Sequence, residues 1–120
     1  MPHPRRILVV DDNMDQVQTM AFLLRDMGHE VRFAVNGTSA LLEARGFMPE
    51  IMFVDLALPD MDGRLLCRQL CNEPGLRNTR FFAITGSIRQ DDWDGVMAAG
   101  FERLLLKPVD PTFLESLLRR

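Results

Sequence analysis

The 120 residues are 47% apolar and 26% charged, a balance that fits one compact globular domain over residues 1–120 and is too short for two. Seventeen acidic against 14 basic residues give a formal charge of -3, which gives no reason to expect nucleic acid or an anionic membrane as partner. Two cysteines are too few for a disulfide framework, and no apolar run reaches the roughly 18 residues of a membrane span, so we expect a cytoplasmic domain without membrane insertion.

The first half of the chain alternates strand patterns with helical ones. The predicted strand over 6–10 (RILVV) is a mainly apolar run rich in β-branched residues that stops at Asp11, which is typical of a strand buried on both faces. Apolar residues recur at helical spacing over 14–27, with Asp12 or Asn13 as the N-cap and Gly28 as the stop. The same alternation predicts a strand over 30–35, a helix over 38–45 ended by Gly46, and a two-sided apolar strand over 50–55.

The second half repeats this alternation. Turn residues 58–63 precede a helix over about 64–72 that Asp62 or Gly63 opens, and a loop containing Gly75 follows. The remaining predicted elements are a strand over 80–85, a helix over 90–99 stopped by Gly100, a strand over 102–106 broken at Pro108, and a helix over 111–118. Parallel neighbouring strands need helical crossovers, so this pattern predicts a doubly wound α/β domain with helices on both faces of a parallel sheet.

In such a sheet the functional cleft lies outside the carboxyl ends of the strands. The residues at the strand ends of this chain are Asp11, Asp12, Asp55, Thr85, Gly86 and Lys107. Two like charges about 4 Å apart cost on the order of 4 kcal/mol at an effective dielectric constant near 20, so three acids at one edge need positive charge among them. Lys107 can supply one such charge and a divalent cation the rest, and oxygen ligands that leave room for water favour Mg²⁺ over Ca²⁺.

A magnesium site with an open position indicates phosphate chemistry. Asp55 is the natural phosphoryl acceptor, because it stands alone at the centre of the edge whereas Asp11 and Asp12 are adjacent. The Thr85 hydroxyl and the Lys107 ammonium could then neutralise phosphoryl oxygens. Lys107 is also the single lysine in a chain whose other 13 basic residues are arginine. The first strand is followed by neither G-x-x-x-x-G-K-[ST] nor G-x-G-x-x-G, so we do not expect nucleotide binding.

Four motifs in chain order resemble those of the receiver domain of two-component response regulators. They are ILVVDD (7–12), VDLALPDMDG (54–63), AITG (83–86) and LLLKP (104–108). The resemblance implies a flavodoxin-like (βα)5 fold with strand order 2-1-3-4-5. It also implies phosphorelay signalling, in which a histidine kinase or a histidine phosphotransfer domain passes a phosphoryl group to the receiver, which then loses it by slow autodephosphorylation.

The resemblance implies a role for each matching residue. Asp55 would be the phosphorylation site, Thr85 the switch hydroxyl and Lys107 the cation that binds the phosphoryl group. The implied Mg²⁺ ligands are Asp11, Asp12, Asp55 and the backbone carbonyl of Ala57. A cis peptide bond before Pro108 is also common in the family.

Two positions depart from the family pattern. Receiver domains usually carry Tyr or Phe three residues before the lysine, where this chain has Leu104, and alanine is common where this chain has Gly86. Leu104 lacks the ring that couples phosphorylation to the face made by the fourth helix, fifth strand and fifth helix. Phosphoryl transfer itself does not need this ring, because all five site residues are present. A homodimer through that face is a further expectation.

Three alternatives stay open at this point. The chain could be a pseudo-receiver scaffold, or a small Mg²⁺-dependent aspartyl phosphatase, although such phosphatases need a second acid where this chain has Ala57. The domain could act alone or belong to a longer protein such as a hybrid histidine kinase, whose receivers the ending GFERLLLKPVD resembles. The downstream partner is unknown.

Two residue types outside this edge are assigned to packing or solvent. Cys67 and Cys71 stand at i, i+4 on one predicted helix without further metal-binding residues nearby, so we expect them to pack rather than to bind metal. His3 and His29 have no evident partners in the sequence, and we expect both to be exposed.

Overall fold

A computed structural model describes residues 3–86 and 92–119, with the backbone alone for residues 92 and 93. Within these ranges strands and helices alternate along the chain. The elements are β1 Arg6–Val10, α1 Met14–Asp26, β2 Glu30–Ala34, α2 Gly37–Phe47, β3 Ile51–Asp55, α3 Gly63–Cys71, β4 Arg80–Thr85, α4 Asp92–Ala99, β5 Phe101–Leu106 and α5 Pro111–Leu118. None of the helices among the described residues combines the length and the apolar character that crossing a membrane requires.

All five strands are parallel and lie in the order β2-β1-β3-β4-β5, which confirms the predicted doubly wound sheet. β1 and β3 occupy the middle of the sheet, where their continuous apolar runs are buried on both faces. The winding changes direction between these two strands, and Val10 of β1 pairs with Val54 of β3. The residues that follow β1 therefore lie beside the last residue of β3 at the switch point, where doubly wound sheets bind ligands.

The core has two layers, because alternate side chains of each strand point to opposite faces of the sheet. Ile7 and Val9 pack with α1 and α5, whereas Leu8 and Val10 pack with α2, α3 and α4. Cys67 belongs to the second layer and is fully buried; burial first, and then the neighbouring Cys71, raise the pKa of the Cys67 thiol to about 12. The predicted packing role of Cys67 is therefore confirmed.

Several element boundaries differ from the sequence prediction. α2 continues past Gly46 to Phe47, because the Phe47 side chain packs in the core, and the helix ends where Met48 adopts the left-handed conformation (φ 53°). The loop containing Gly75 forms one 3-10 turn over Pro74–Leu76. β5 begins one residue earlier than predicted, at Phe101, whose ring contacts Phe81 edge to face at 6.5 Å. The predicted start of the fourth helix at residue 90 lies outside the described residues.

The predicted exposure of His29 is wrong. The side chain is only 7% exposed, and its Nδ1 accepts the backbone N–H of Arg5 at 3.1 Å. Gly28, at φ 99°, turns the chain between α1 and β2 and places His29 beside the start of β1. Burial and, next, the Arg5 guanidinium lower the pKa of His29, with Glu50 opposing them in part. The folded chain therefore holds His29 neutral.

We expect this histidine to make folding stability depend on pH. Because its folded pKa lies below the ordinary value of 6.5, its contribution is present above that value and is lost as the pH falls. Urea unfolding of wild type and His29→Gln at pH 8, 6.5 and 5 measures the effect. The free energy of unfolding of wild type should decline relative to that of the variant at lower pH. Parallel pH curves would contradict the assignment, since the exposed His3 is present in both chains.

Candidate functional site

Three carboxylates meet at the carboxyl edge of the sheet, as predicted. Asp11 and Asp12 directly follow β1, and Asp55 is the last residue of β3. One carboxylate oxygen from each lies within 4.8 Å of the others. Asp11 and Asp55 are buried, and Asp12 is exposed. The pairing of β1 with β3 is what brings residues 44 positions apart into one pocket.

Lys107 supplies the expected positive charge. Its Nζ lies 2.7 Å from Oδ2 of Asp55 and 2.8 Å from Oδ2 of Asp11. Burial alone would lower the pKa of Lys107, but the hydrogen bonds and the charges of these two acids outweigh it and raise the pKa. The backbone N–H of Lys107 donates to the Thr85 carbonyl at 2.8 Å, and the Lys107–Pro108 bond is cis, as the resemblance implied. The ammonium is therefore charged and fixed between β1 and β3.

Backbone amides orient the two buried acids. Oδ1 of Asp11 accepts the N–H of Asn13 at 3.0 Å, and Oδ1 of Asp55 accepts the N–H of Ala57 at 2.9 Å. Asn13 rather than Asp12 caps α1, with its Oδ1 accepting the N–H of Gln16 at 3.1 Å. Asp12 therefore has no part in capping the helix.

The donor set fits a hard divalent cation. Three carboxylates and one ammonium leave two negative charges uncompensated, and every potential ligand atom is oxygen. Oxygen-only sites with few protein ligands suit Mg²⁺, which keeps several of its waters. Among the described residues, no other three His, Cys, Asp or Glu side chains come this close together.

Thr85 and Gly86 lie at the same edge of the sheet. Thr85 ends β4, the strand that pairs with β3 through Ile84 and Asp55, and is half-buried. Gly86 is exposed, and a Cβ added there would meet no described atom within 4 Å. The described part of the chain therefore leaves room for a larger side chain at position 86.

Leu104 occupies the position where the family usually has an aromatic ring. It pairs with Ala83 of β4. Thr85 lies two residues after Ala83 on the same strand, so Leu104 and Thr85 are on the same face of the sheet. Leu104 is 8% exposed and packs in the core layer that includes Val96 of α4. An inward-pointing apolar side chain thus fills this position in the structure.

Sequence reasoning missed two contacts in and next to the loop between β3 and α3, residues 56–62. A Cβ at Gly63 would lie 2.4 Å from the carbonyl oxygen of Asp55, so this close approach requires glycine. Asp60, predicted as a turn residue, also hydrogen-bonds the start of α2. The prediction that Asp62 or Gly63 opens α3 is confirmed, since Oδ1 of Asp62 accepts the N–H of Arg64 at 2.8 Å. The partners of Asp60 lie more than 20 residues away, and no local pattern marks them.

A cavity of about 230 Å³ adjoins the pocket between α1 and the loop from β5 to α5. Lys107 and Asp11 are among the residues that line it. Its walls are mainly apolar and include Met20, Leu23, Ile84, Val109 and Leu114. An apolar recess thus opens next to the buried carboxylates.

Fold and pocket together define a class, the flavodoxin-like domains that gather acidic residues and a lysine at the switch point of a parallel sheet. Residues 7–119 match the family model of the response regulator receiver domain. The chain belongs to this family, and receiver domains act in phosphorelay signal transduction. They interact with histidine kinases or phosphotransfer proteins and generally bind Mg²⁺ through an acidic pocket.

Similar proteins differ in length. The chain is 34% identical over 95% of its length to an uncharacterized 14.6 kDa protein of Leptolyngbya boryana, of which it covers 87%. It is 33% identical over 95% of its length to the response regulator PleD of Caulobacter vibrioides, of which it spans only 25%. A high-resolution structure of the chemotaxis response regulator CheY4 of Vibrio cholerae superposes with a TM-score of 0.89 at 26% identity, covering 98% of each chain. The receiver fold thus accounts for nearly the whole chain.

Proposed function

We propose that residues 1–120 form one receiver domain in which Asp55 accepts a phosphoryl group from the phosphohistidine of a histidine kinase or a histidine phosphotransfer domain. The observation that carries the proposal is the position of the Asp55 carboxylate. It is buried, its Oδ1 is held by the Ala57 amide and its Oδ2 by Lys107, and it lies within 4.8 Å of the other two acids. A carboxylate so oriented is an acceptor for phosphoryl transfer.

The transfer needs only groups of this pocket and the donor. A carboxylate oxygen of Asp55 attacks phosphorus, the P–N bond of phosphohistidine breaks, and its electron pair returns to the leaving imidazole. The Lys107 ammonium, already 2.7 Å from Asp55, pairs with the negative charge of the phosphoryl oxygens. The Thr85 hydroxyl and the Gly86 N–H lie at the same edge and can donate hydrogen bonds to these oxygens. In slow autodephosphorylation, water attacks phosphorus and the P–O bond to Asp55 breaks.

We further propose that Mg²⁺ is held by Asp11, Asp12, Asp55 and the backbone carbonyl of Ala57. When bound, the ion supplies positive charge that offsets the charge of the transferred group. The uncompensated charge of the carboxylate cluster supports this assignment. Ala57 offers no carboxylate for general-acid catalysis, so nothing favours the phosphatase alternative.

Two surfaces support the proposed partners. The apolar recess beside Lys107 offers a contact for the donor that brings phosphohistidine to Asp55. Met97 of α4, Leu106 of β5 and Phe113 of α5 are 53%, 50% and 37% exposed, which supports a homodimer through that face. Sedimentation of the phosphorylated chain checks the dimer, and a monomer at every concentration would contradict it.

The two cysteines support the proposed compartment. Cys67 and Cys71 are both free thiols in the structure. Free thiols in a small domain are typical of reducing compartments. We therefore propose a cytoplasmic location, which fractionation of the source cells can test.

Incubation with Mg²⁺ and acetyl phosphate, followed by intact mass measurement, tests the phosphoacceptor. Wild type should gain one phosphoryl group, and a chelator should suppress the gain. Asp55→Asn should gain none, because an amide is a poor nucleophile. Asp26→Asn, which removes an exposed acid on α1 outside the pocket, is the matched control and should behave as wild type. No gain in wild type, or an equal gain in Asp55→Asn, would overturn the proposal.

A further inference from the structure

The carboxylate of Asp60 joins the β3–α3 loop to the first turn of α2. Its Oδ1 accepts the N–H of Gly37 at 2.7 Å. Its Oδ2 accepts both the N–H of Thr38 at 3.0 Å and the Thr38 hydroxyl at 2.8 Å. The same hydrogen bonds lower the pKa of Asp60, so it is ionised. An acid of one loop thus satisfies the first two amides of a helix 22 and 23 residues away in sequence.

α2 already has a cap of its own. Asn36 is its N-cap, and Oδ1 of Asn36 accepts the N–H of Ser39 at 2.8 Å and the Ser39 hydroxyl at 2.9 Å. Asp60 is therefore an addition to a capped helix. What it contributes beyond capping is a fixed connection between that helix and the loop.

The connection continues through the loop to Ala57. Met61 packs so closely on Gly37 that an added Cβ would lie 2.4 Å from the Met61 Cγ. Ala57 and Asp62 form an antiparallel bridge, and the N–H of Gly63 donates to the Leu56 carbonyl at 2.9 Å. Backbone contacts between residues 56–57 and 62–63 thus close the loop that contains Ala57, the implied carbonyl ligand. Asp60 and Met61 in the middle of the loop connect it to α2.

We propose that Asp60 is a positioning residue of the metal site. Its hydrogen bonds to Gly37 and Thr38 hold the β3–α3 loop so that the Ala57 carbonyl is fixed for Mg²⁺, while Asp60 itself lies outside the cluster of Asp11, Asp12 and Asp55. This inference rests on the proposed function, since it needs a magnesium site at that cluster. Partners that orient metal ligands contribute to metal affinity without touching the metal.

Calorimetric titration with Mg²⁺ alone tests this role. Asp60→Ala should raise the Kd for Mg²⁺ about tenfold, the low end for residues that orient metal ligands. Asp60→Asn keeps one acceptor oxygen and should fall between wild type and Asp60→Ala. Thr38→Val keeps the charge of Asp60 but removes one hydrogen bond, so it too should raise the Kd by a smaller factor. Unfolding curves of each variant establish that it is folded at the titration temperature.

Asn36→Ala is the matched control, because it weakens the same helix terminus without touching the loop. It should lower stability and leave the Kd for Mg²⁺ unchanged. At saturating Mg²⁺, the rate of phosphorylation of Asp60→Ala by acetyl phosphate should return towards that of wild type. An unchanged Kd in Asp60→Ala, or an equal rise in Asn36→Ala, would overturn the role of Asp60. Wild-type affinity in Asp12→Ala would instead overturn the metal site itself.

Discussion

Replacing Lys107 with methionine should lower the stability of the Mg²⁺-free protein by about 3 kcal/mol at neutral pH. Asp11 and Asp55 face each other across the pocket with side chains only 3% and 7% exposed, and Lys107 is the cation that contacts both. Removing one partner of a buried ion pair typically costs about 3–5 kcal/mol, because the remaining charge is left unpaired. The lower end applies here, because the Lys107 side chain keeps 16% of its exposure.

Urea unfolding with EDTA and with Mg²⁺ measures this effect. Mg²⁺ should restore much of the lost stability, because it supplies positive charge to the same carboxylates. Lys107→Arg is the matched control: it keeps the charge and should retain most of the stability in EDTA. Its planar guanidinium should nevertheless slow phosphorylation, since it does not reproduce a compact ammonium between two acids. Equal stability of Lys107→Met and wild type in EDTA would contradict the electrostatic role of Lys107.

The convergence of the acids could be predicted from sequence because it follows from topology alone. The four residues before the acid are all apolar in both β1 (7–10) and β3 (51–54), which marks both strands as buried and their ends as one edge. No contact between side chains had to be known. The assignment of Lys107 followed from the same rule, applied to the end of β5.

The features that sequence reasoning missed are contacts between distant segments. The acceptor for the Arg5 amide is His29, 24 residues away, and a lone histidine carries no periodic signal. Asp60 and Gly63 belong to a motif that indicates a turn, yet their importance comes from α2 and from the Asp55 carbonyl. α2 extends beyond Gly46 to Phe47 because the burial of the Phe47 side chain outweighs the preference of glycine for helix ends.

Leu104 bears on any coupling between the carboxylate pocket and the face made by α4, β5 and α5. The chain contains no tyrosine, and position 104 holds a buried leucine on the same sheet face as Thr85. A leucine side chain has neither the aromatic ring nor the hydroxyl with which a Tyr or Phe at this position could move between a buried and an exposed orientation. If phosphorylation is coupled to Met97, Leu106 or Phe113, we expect the coupling to run through backbone or helix movement rather than through an aromatic side chain at position 104.

Gly63→Ala should lower stability by about 3 kcal/mol and slow phosphorylation at Asp55. The added Cβ would lie 2.4 Å from the Asp55 carbonyl oxygen and 2.9 Å from the Leu56 Cα. Both are backbone atoms, so β3 and the start of α3 must move apart, and overpacking of this kind typically costs about 1–3 kcal/mol. The upper end applies because no flexible side chain can yield. The displaced strand end carries the Asp55 carboxylate away from Lys107.

Gly46→Ala provides the matched glycine control. Gly46 lies inside α2, and a Cβ there would meet no described atom within 4 Å. Alanine should therefore stabilise the chain by about 0.5–1 kcal/mol through helix propensity and leave phosphorylation unchanged. Urea unfolding and the acetyl phosphate reaction separate the two glycines. If Gly63→Ala matched wild type in both measurements, the contact between α3 and the Asp55 carbonyl would not be what positions the acceptor.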